Sequence, residues 1–281
     1  MRMRRAAVPV FAILLTLSAF AQTAPPAQSP PSNWPTAHFA ASKDPSVQKA
    51  CQVLNDMLRK LGGMAYLNVR TMETQGRAYS FYHGQPNSMS VLYWRFWEWP
   101  DKERIEFSKQ RDIVELLVGD KGYEITYKGT AEQDPKDLEQ ALRSREHSLE
   151  SVIRKWLPAE GTTILYSGTA MVERNLADQV TVLNATNDSV TLSIDRQSHL
   201  PSKVSYSWRD PADRQFDDAS VVFSNYKLVQ GVQTPFSIVH YSNGDMASQR
   251  FITSVTYNTE LAPTLFETKG LTYKQDKPPA K

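Results

Sequence analysis

Two long stretches of the chain, residues 65–129 and 163–266, alternate apolar and polar side chains with a period of two. Residues 190–194 (VTLSI), for example, carry an aliphatic side chain at every second position. This period is typical of β-strands with one buried face, because successive side chains point to opposite sides of a sheet. Turn signals separate the runs, and the strongest is Asn243-Gly244, which predicts a hairpin. About ten antiparallel strands are therefore predicted.

Two segments have the apolar spacing of three and four residues that is typical of amphipathic helices. The first begins at Asp44-Pro45, a capping carboxylate followed by a proline, and ends before Gly62-Gly63. The second runs over Pro135–Trp156, where mixed charges indicate a solvent-exposed face. Together with the strands, these helices predict a single α+β domain over residues 44–273, built on a large curved antiparallel sheet.

The first 21 residues have the three parts of a secretory signal peptide: a basic start, an apolar run and the small-x-small pattern of Ala19-Phe20-Ala21. The apolar run has about 15 residues, whereas a membrane-spanning helix needs about 20. We therefore expect cleavage and export, with an uncleaved anchor as the weaker alternative. Removing the three arginines of this segment changes the formal net charge from +2 to −1. That balance does not favour electrostatic binding of nucleic acid.

Residues 22–43 are rich in proline, alanine, glutamine and serine, and they predict an extended linker. Residues 274–281 predict a polar tail. The chain has one cysteine, Cys51, so it forms no internal disulfide. Because Cys51 lies on the apolar stripe of the first helix, we expect a buried, inert thiol.

Motifs of common enzyme chemistry are missing from the sequence: it has no GxSxG, HExxH, paired CxxC, phosphate loop or GxGxxG. The five histidines never lie three or four residues apart, as a local metal site requires. The adjacent carboxylates Asp217 and Asp218 fall in a predicted polar loop, Asp210–Asp218, or on opposite faces of a strand. Neither placement makes them converge on one substrate atom. We therefore predict a protein without catalytic residues, metal or cofactor, and not an enzyme.

Aromatic residues are abundant, with 6 Trp, 12 Tyr and 11 Phe, and they are densest in Tyr93–Trp99 (YWRFWEW). Both faces of this predicted strand carry large rings. Either the strand is covered on both faces, or one face lines a cavity for an apolar ligand. A 16-carbon acyl chain gains on the order of 10 kcal/mol on leaving water, at about 0.8 kcal/mol per methylene. An acyl carrier thus needs a large apolar cavity and no catalytic group.

Eight apolar and aromatic residues on the predicted strands are the candidates for lining such a cavity. Plain core packing is the alternative for each of them, and the sequence leaves open which face of the sheet is concave. The candidates are Leu92, Trp94, Phe96, Ile105, Phe107, Val204, Tyr206 and Trp208.

Five segments, taken in order, resemble the outer-membrane lipoprotein-sorting (LolA-like) family of periplasmic carriers. The opening helix and its glycine-bearing strand, Val53–Tyr82, resemble the start of that family. Pro100–Phe107 (PDKERIEF) and Val118–Tyr127 (VGDKGYEITY) are similar to its next strand and hairpin. Thr191–Tyr206, with its D-x-x-x-x-L-P pattern, and Leu261–Phe266 are similar to its later hairpin and closing motif.

The resemblance implies an open β half-barrel whose mouth is covered by residues 44–61 and 135–156, with an apolar cavity that takes up lipid chains. It implies a monomeric periplasmic carrier of lipoprotein or lipid acyl chains, with an inner-membrane transporter and an outer-membrane acceptor as partners and no nucleic acid. Binding would move the covering helices away from the concave face. Trp99 departs from the family, which often has a basic residue before the motif proline, so the resemblance does not extend to cargo handover.

Two other classes of function stay open. A regulatory sensor on the same fold would detect misfolded envelope proteins or free lipid. A secreted hydrolase would need converging polar groups, which the motifs of this sequence do not supply.

Overall fold

One antiparallel sheet dominates the structure, a computed structural model that describes residues 34–87, 89–210 and 214–268. The predicted signal peptide, the first part of the predicted linker and the polar tail lie outside these residues. The described chain forms fourteen strands rather than about ten. They are β1 (Thr71–Tyr82), β2 (Gln85–Pro86), β3 (Val91–Glu98), β4 (Lys102–Phe107), β5 (Ile113–Val118), β6 (Lys121–Thr126), β7 (Gly129–Glu132), β8 (Thr163–Val172), β9 (Asn175–Leu183), β10 (Ser189–Asp195), β11 (Pro201–Arg209), β12 (Phe216–Val229), β13 (Val232–Ser242) and β14 (Asp245–Tyr257).

The strand order is β7-β6-β5-β4-β3-β1-β14-β13-β12-β11-β10-β9-β8, and the short β2 pairs with β1 outside this path. Most neighbours are consecutive hairpins, but β1 lies between β3 and β14 and joins the two halves of the sheet. The two edges, β7 and β8, do not pair with each other. The sheet is therefore open, as the predicted α+β class requires.

The helix α1 (Pro45–Leu61) begins and ends where the sequence predicts. The Asp44 carboxylate accepts hydrogen bonds from the backbone N–H groups of Ser46 (2.7 Å) and Val47 (3.4 Å). Gly62 has a φ of 127°, and a Cβ there would lie 2.3 Å from the carbonyl oxygen of Gly231. Only glycine fits this position, so α1 ends there. A short helix, α2 (Met64–Leu67), follows.

The folded part of the chain includes residues that the sequence assigned to the linker. Trp34 and Phe39 are buried against α1, and a 3₁₀ helix occupies Ala37–Ala41. The indole N–H of Trp34 donates a 2.8 Å hydrogen bond to the side-chain oxygen of Asn55 on α1. The linker prediction is thus wrong for residues 34–43, because two aromatic side chains anchor a segment of otherwise linker-like composition.

We expect Trp34→Phe to lower the free energy of unfolding by about 1–2 kcal/mol, because it removes a buried hydrogen bond and part of the ring volume. Lys43→Ala, an exposed position in the same segment, is the control and should change stability by less than about 0.5 kcal/mol. Urea unfolding followed by fluorescence measures both. Equal stability of Trp34→Phe and the wild type would contradict this anchoring role.

The second predicted helix is divided in the structure. α3 (Pro135–Glu146) ends at His147, and α4 (Leu149–Ser151) continues into a π-helical turn, Val152–Trp156. The Ser148 hydroxyl accepts a 3.2 Å hydrogen bond from the Ser151 N–H and caps the new helix. α3 has no buried residue, whereas α4 and the π-helical turn bury most of theirs. The prediction of one continuous helix is wrong at this junction.

Two turn predictions have different outcomes. Asn243-Gly244 joins β13 to β14 with φ angles of 50° and 82°, so the predicted hairpin is confirmed. The predicted loop Asp210–Asp218 ends earlier, because β12 starts at Phe216. Asp217 and Asp218 are consecutive strand residues and point to opposite faces of the sheet.

Candidate functional site

A cavity of about 340 Å³ lies between one face of the sheet and the helices that connect its two edges. Its lining comes from β1, β3–β5 and β11–β14, and from α2, α3 and α4. We call the face of the sheet that lines the cavity the inner face, and the opposite one the outer face. The volume falls within the range of about 300–1,000 Å³ that is typical of small-molecule sites.

The pairing of β3 with β4 decides which aromatic residues face the cavity. Arg95 lies opposite Ile105, and Trp97 lies opposite Glu103. All four line the cavity, so the odd-numbered residues of β3 belong to the inner face. The predicted cavity residues Leu92, Trp94 and Phe96 therefore lie on the outer face.

A second hydrophobic cluster on the outer face explains the other rings of β3. Phe96 packs there with Leu116 and Phe266, and Trp94 lies at its border. Phe266 belongs to a C-terminal 3₁₀ helix, Pro263–Phe266. The guanidinium of Arg111 lies 5.2 Å from the ring of Trp94 and 5.6 Å from that of Phe96. This strand is thus covered on both faces, while its inner face also lines a cavity.

The remaining five candidates divide between the cavity and its surroundings. Ile105, Val204 and Tyr206 line the cavity. Phe107 is on the inner face, opposite Tyr93, but does not contribute to the lining. Trp208 lies beyond Tyr206, with the Arg143 guanidinium 4.4 Å from its ring. The structure therefore brings together three of the eight predicted residues.

The sequence missed most of the apolar lining. These side chains sit at alternating positions of long strands, and periodicity identifies such a set without telling which face is covered. The missed residues include Leu61, Met72, Trp97, Leu149, Phe223, Val232, Ile238, Ile252 and Tyr257.

A group of charged side chains also lies on the inner face. Arg95 and Glu103 form an ion pair between β3 and β4, with side-chain exposures of 21% and 23%. Both line the cavity, so this exposure is toward its interior. Burial would raise the pKa of Glu103, but the charge and hydrogen bond of Arg95 outweigh it and hold this pKa below its usual value. The pair therefore stays ionised.

Three further ionisable residues of the inner face are Glu115, His240 and Arg250. Burial raises the pKa of Glu115, and the charge of Arg250 opposes this only in part. Burial, followed by repulsion from Arg250 and Arg95, lowers the pKa of His240 to about 3. His240 is therefore a neutral imidazole at ordinary pH.

Two buried hydroxyl groups of the lining, on Tyr66 and Thr74, have no hydrogen-bond partner within the part of the chain that the structure describes. Both side chains are less than 7% exposed. Buried hydroxyls ordinarily have a partner, so these two are exceptions among the buried polar groups of the lining.

The helices that cover the cavity are attached unequally. Arg154 of the π-helical turn donates 2.6 Å hydrogen bonds to the carbonyl oxygens of Tyr66 and Val69. At the end of α3, the ring of His147 contacts Asp188 through Nε2 (2.7 Å) and stacks on Tyr206 at 4.3 Å. α3 buries no residue, and it is also attached by Arg145, which donates a hydrogen bond to the carbonyl oxygen of Asp101, and by Arg143, whose guanidinium lies over the ring of Trp208. We call α3 together with His147 the lid.

No protein-family model matches the sequence, and no curated protein matches it. Solved structures do match. A DUF1329 family protein from Desulfovibrio piger is 11% identical with a TM-score of 0.55, and the match covers 79% of this chain and 99% of that one. A domain named as an outer membrane lipoprotein-sorting protein, from Vibrio parahaemolyticus, is 9% identical with a TM-score of 0.52, covering 80% and 98%.

These likenesses define the class of fold: an open antiparallel half-barrel with helices over its inner face. More particularly, it is the LolA-like fold, as the sequence motifs indicate. Within the described residues, no helix is long and apolar enough to span a membrane. In the same ranges, no three His, Cys, Asp or Glu side chains are grouped as a metal ion requires.

Proposed function

We propose that this protein is a periplasmic, non-enzymatic carrier that holds the acyl chains of lipoproteins or related lipids in its cavity, for transfer towards the outer membrane. The observation that carries the proposal is the inner face itself: both halves of the sheet and α4 direct apolar side chains into one cavity. The cavity connects residues as far apart as Leu117 on β5 and Val204 on β11. An acyl chain bound there loses its contact with water without any chemical step.

The lid gives a route of entry. α3 covers the cavity with Ala141 and Ser144 and buries none of its own residues, so lifting it away exposes little core. The π-helical turn, with Val152 and Ile153 fully buried, stays in place. Uptake then consists of lid opening around His147, insertion of the chain and closure. A membrane donor and an outer-membrane acceptor would supply and receive the cargo.

The decisive test is to block the cavity. We expect Ile252→Trp, on the inner face of β14, to reduce binding of a fluorescent fatty acid at least tenfold, because the larger ring occupies the space of the chain. Phe251→Trp is the matched control, since Phe251 is the next residue and is 42% exposed on the outer face. Fluorescence titration measures binding, and mass spectrometry of lipids that co-purify with the wild type identifies the cargo.

Equal binding by both tryptophan variants would overturn the carrier proposal, as would a wild-type protein that neither retains lipid nor binds the probe.

A further inference from the structure

Among the described residues, Arg250 is the cavity arginine without an ion-pair or hydrogen-bond partner. Arg95 is paired with Glu103, and Arg145 donates a 3.1 Å hydrogen bond to the carbonyl oxygen of Asp101. Within residues 34–87, 89–210 and 214–268, no carboxylate lies within 4.0 Å of the Arg250 guanidinium and no group accepts a hydrogen bond from it. The guanidinium of Arg250 lies beside the ring of Tyr93, with the centroid at 5.8 Å.

The surroundings of Arg250 do not neutralise its charge. Ile238 lies opposite it on β13, and Ile252 is the next inner-face residue of β14. His240 is neutral, and the charge of Glu103 is balanced by Arg95. Glu115 faces the same region, but its carboxylate lies more than 4.0 Å from the Arg250 guanidinium and forms no ion pair with it. A partly buried guanidinium with no counter-ion in contact with it favours the binding of an anion.

The unpaired positive charge of the cavity lies at Arg250, and apolar side chains line the cavity from there to its other end. Arg250 and Tyr257 both belong to the inner face of β14. They are seven positions apart with a bulge between them, which is roughly 20 Å at about 3.3 Å per residue. Around Tyr257 the lining includes the apolar Leu61, Met72 and Val232, together with Glu150 and the hydroxyl groups of Tyr66 and Thr234. The shape and chemistry therefore suit a long molecule with one charged end.

We propose that the cargo is an acyl amphiphile with an anionic headgroup, a carboxylate or a phosphate, and that Arg250 binds this headgroup while the chain extends towards Tyr257. This inference rests on the proposed function. Arginine forms bidentate hydrogen bonds with both kinds of anion, and charge-assisted bonds of this type are about twice as strong as neutral ones. The headgroup would neutralise Arg250 and so select acidic lipids over neutral ones.

The test uses three ligands with the same 16-carbon chain: palmitate, a palmitoyl lysophosphatidic acid and the uncharged hexadecanol. We expect the wild type to prefer one or both anions over the alcohol by roughly 10- to 100-fold, from the strength of a hydrogen bond to a charged group. Arg250→Met should remove this preference and leave alcohol binding within about threefold. The anion that the wild type binds more tightly identifies the headgroup, a carboxylate or a phosphate.

The controls separate charge from fold. Arg77→Met changes an arginine of the neighbouring strand β1 on the outer face, opposite Phe251, and should keep the full preference. Arg250→Lys retains the charge without the bidentate geometry and should lose only part of it. Acetate and inorganic phosphate should bind weakly, because they lack the chain.

The outcomes are distinct. If all three ligands bind equally, or if Arg250→Met keeps the anion preference, the role of Arg250 is overturned while the carrier proposal stands. If no ligand with an acyl or alkyl chain binds the wild type, the carrier proposal fails and this inference fails with it.

Discussion

Replacing Glu106 by glutamine is expected to lower the free energy of unfolding by about 3–5 kcal/mol. Glu106 is 4% exposed, and its carboxylate oxygens bind Arg104 and Arg111. Arg104 is itself 6% exposed. Glutamine keeps the size of the side chain but removes the charge, so a buried guanidinium loses its counter-charge. Arg104 lies on the outer face, beside the hydrophobic cluster of Phe96, Leu116 and Phe266.

Glu98→Gln is the control for this prediction. Glu98 lies on β3 and pairs with Lys102 on β4 at 2.7 Å, but both side chains are about a third exposed. A solvent-exposed pair of this kind contributes about 0–1 kcal/mol. Urea denaturation with circular dichroism compares the two variants. If the free energy of unfolding falls equally in Glu98→Gln and Glu106→Gln, the ion pairs of Glu106 with Arg104 and Arg111 stabilise the fold no more than an exposed pair does.

Lowering the pH from 7 to 5 is expected to destabilise the protein by about 2 kcal/mol through His240 alone. Burial, aided by Arg250 and Arg95, lowers the pKa of His240 to about 3 in the folded state. In the unfolded state the pKa returns to its ordinary value of about 6.5. Below that value the unfolded chain takes up a proton that the folded chain does not. Stability is therefore lost as the pH falls from about 6.5 towards 3.

His240→Gln should remove this part of the pH dependence, whereas His38→Gln, at an exposed position, should keep it. Carboxylates with a lowered pKa, such as Glu103 and Asp195, lose their contribution only below about pH 4.5. In the window between pH 5 and 6.5, the histidine opposes Glu115, whose raised pKa adds stability as the pH falls, and His240→Gln separates the two contributions. Urea unfolding at several pH values measures the slope, and an unchanged slope in His240→Gln would contradict the assignment.

Much of the fold can be predicted from local signals in the sequence. Asp44-Pro45 and Gly62 define α1 because a capping carboxylate and a glycine at positive φ act within a few residues. Asn243-Gly244 defines a hairpin for the same reason. The division at His147 was not predictable in this way, because its causes, Asp188 and Tyr206, lie 41 and 59 positions away in sequence.

The cavity face illustrates a different limit. Trp94 and Phe96 are as large and apolar as Trp97, so β3 alone does not show which side is inner. The answer depends on pairing Arg95 with Ile105 and on Phe266, which covers the outer face from a distant part of the chain. Periodicity gives two sets of side chains, and only the tertiary structure assigns them.

The charged residues of the cavity were missed for a related reason. Glu103, Glu115 and Arg250 occupy polar positions in alternating strands, where the ordinary interpretation is exposure to solvent. In this sheet, helices cover the inner face and a 3₁₀ helix covers part of the outer face, so a polar position in a strand is not always exposed to solvent. A polar position can then face an enclosed cavity, as Arg250 does.

The position of β1 determines when the two halves of the sheet can be joined during biosynthesis. β1 pairs with β3 on one side and with β14 on the other, and the Arg70 N–H donates a 2.7 Å hydrogen bond to Asn258, 188 residues later. Contacts of such long sequence separation form slowly. The part of the lining that β14 supplies therefore joins the cavity only after this last strand has been synthesised.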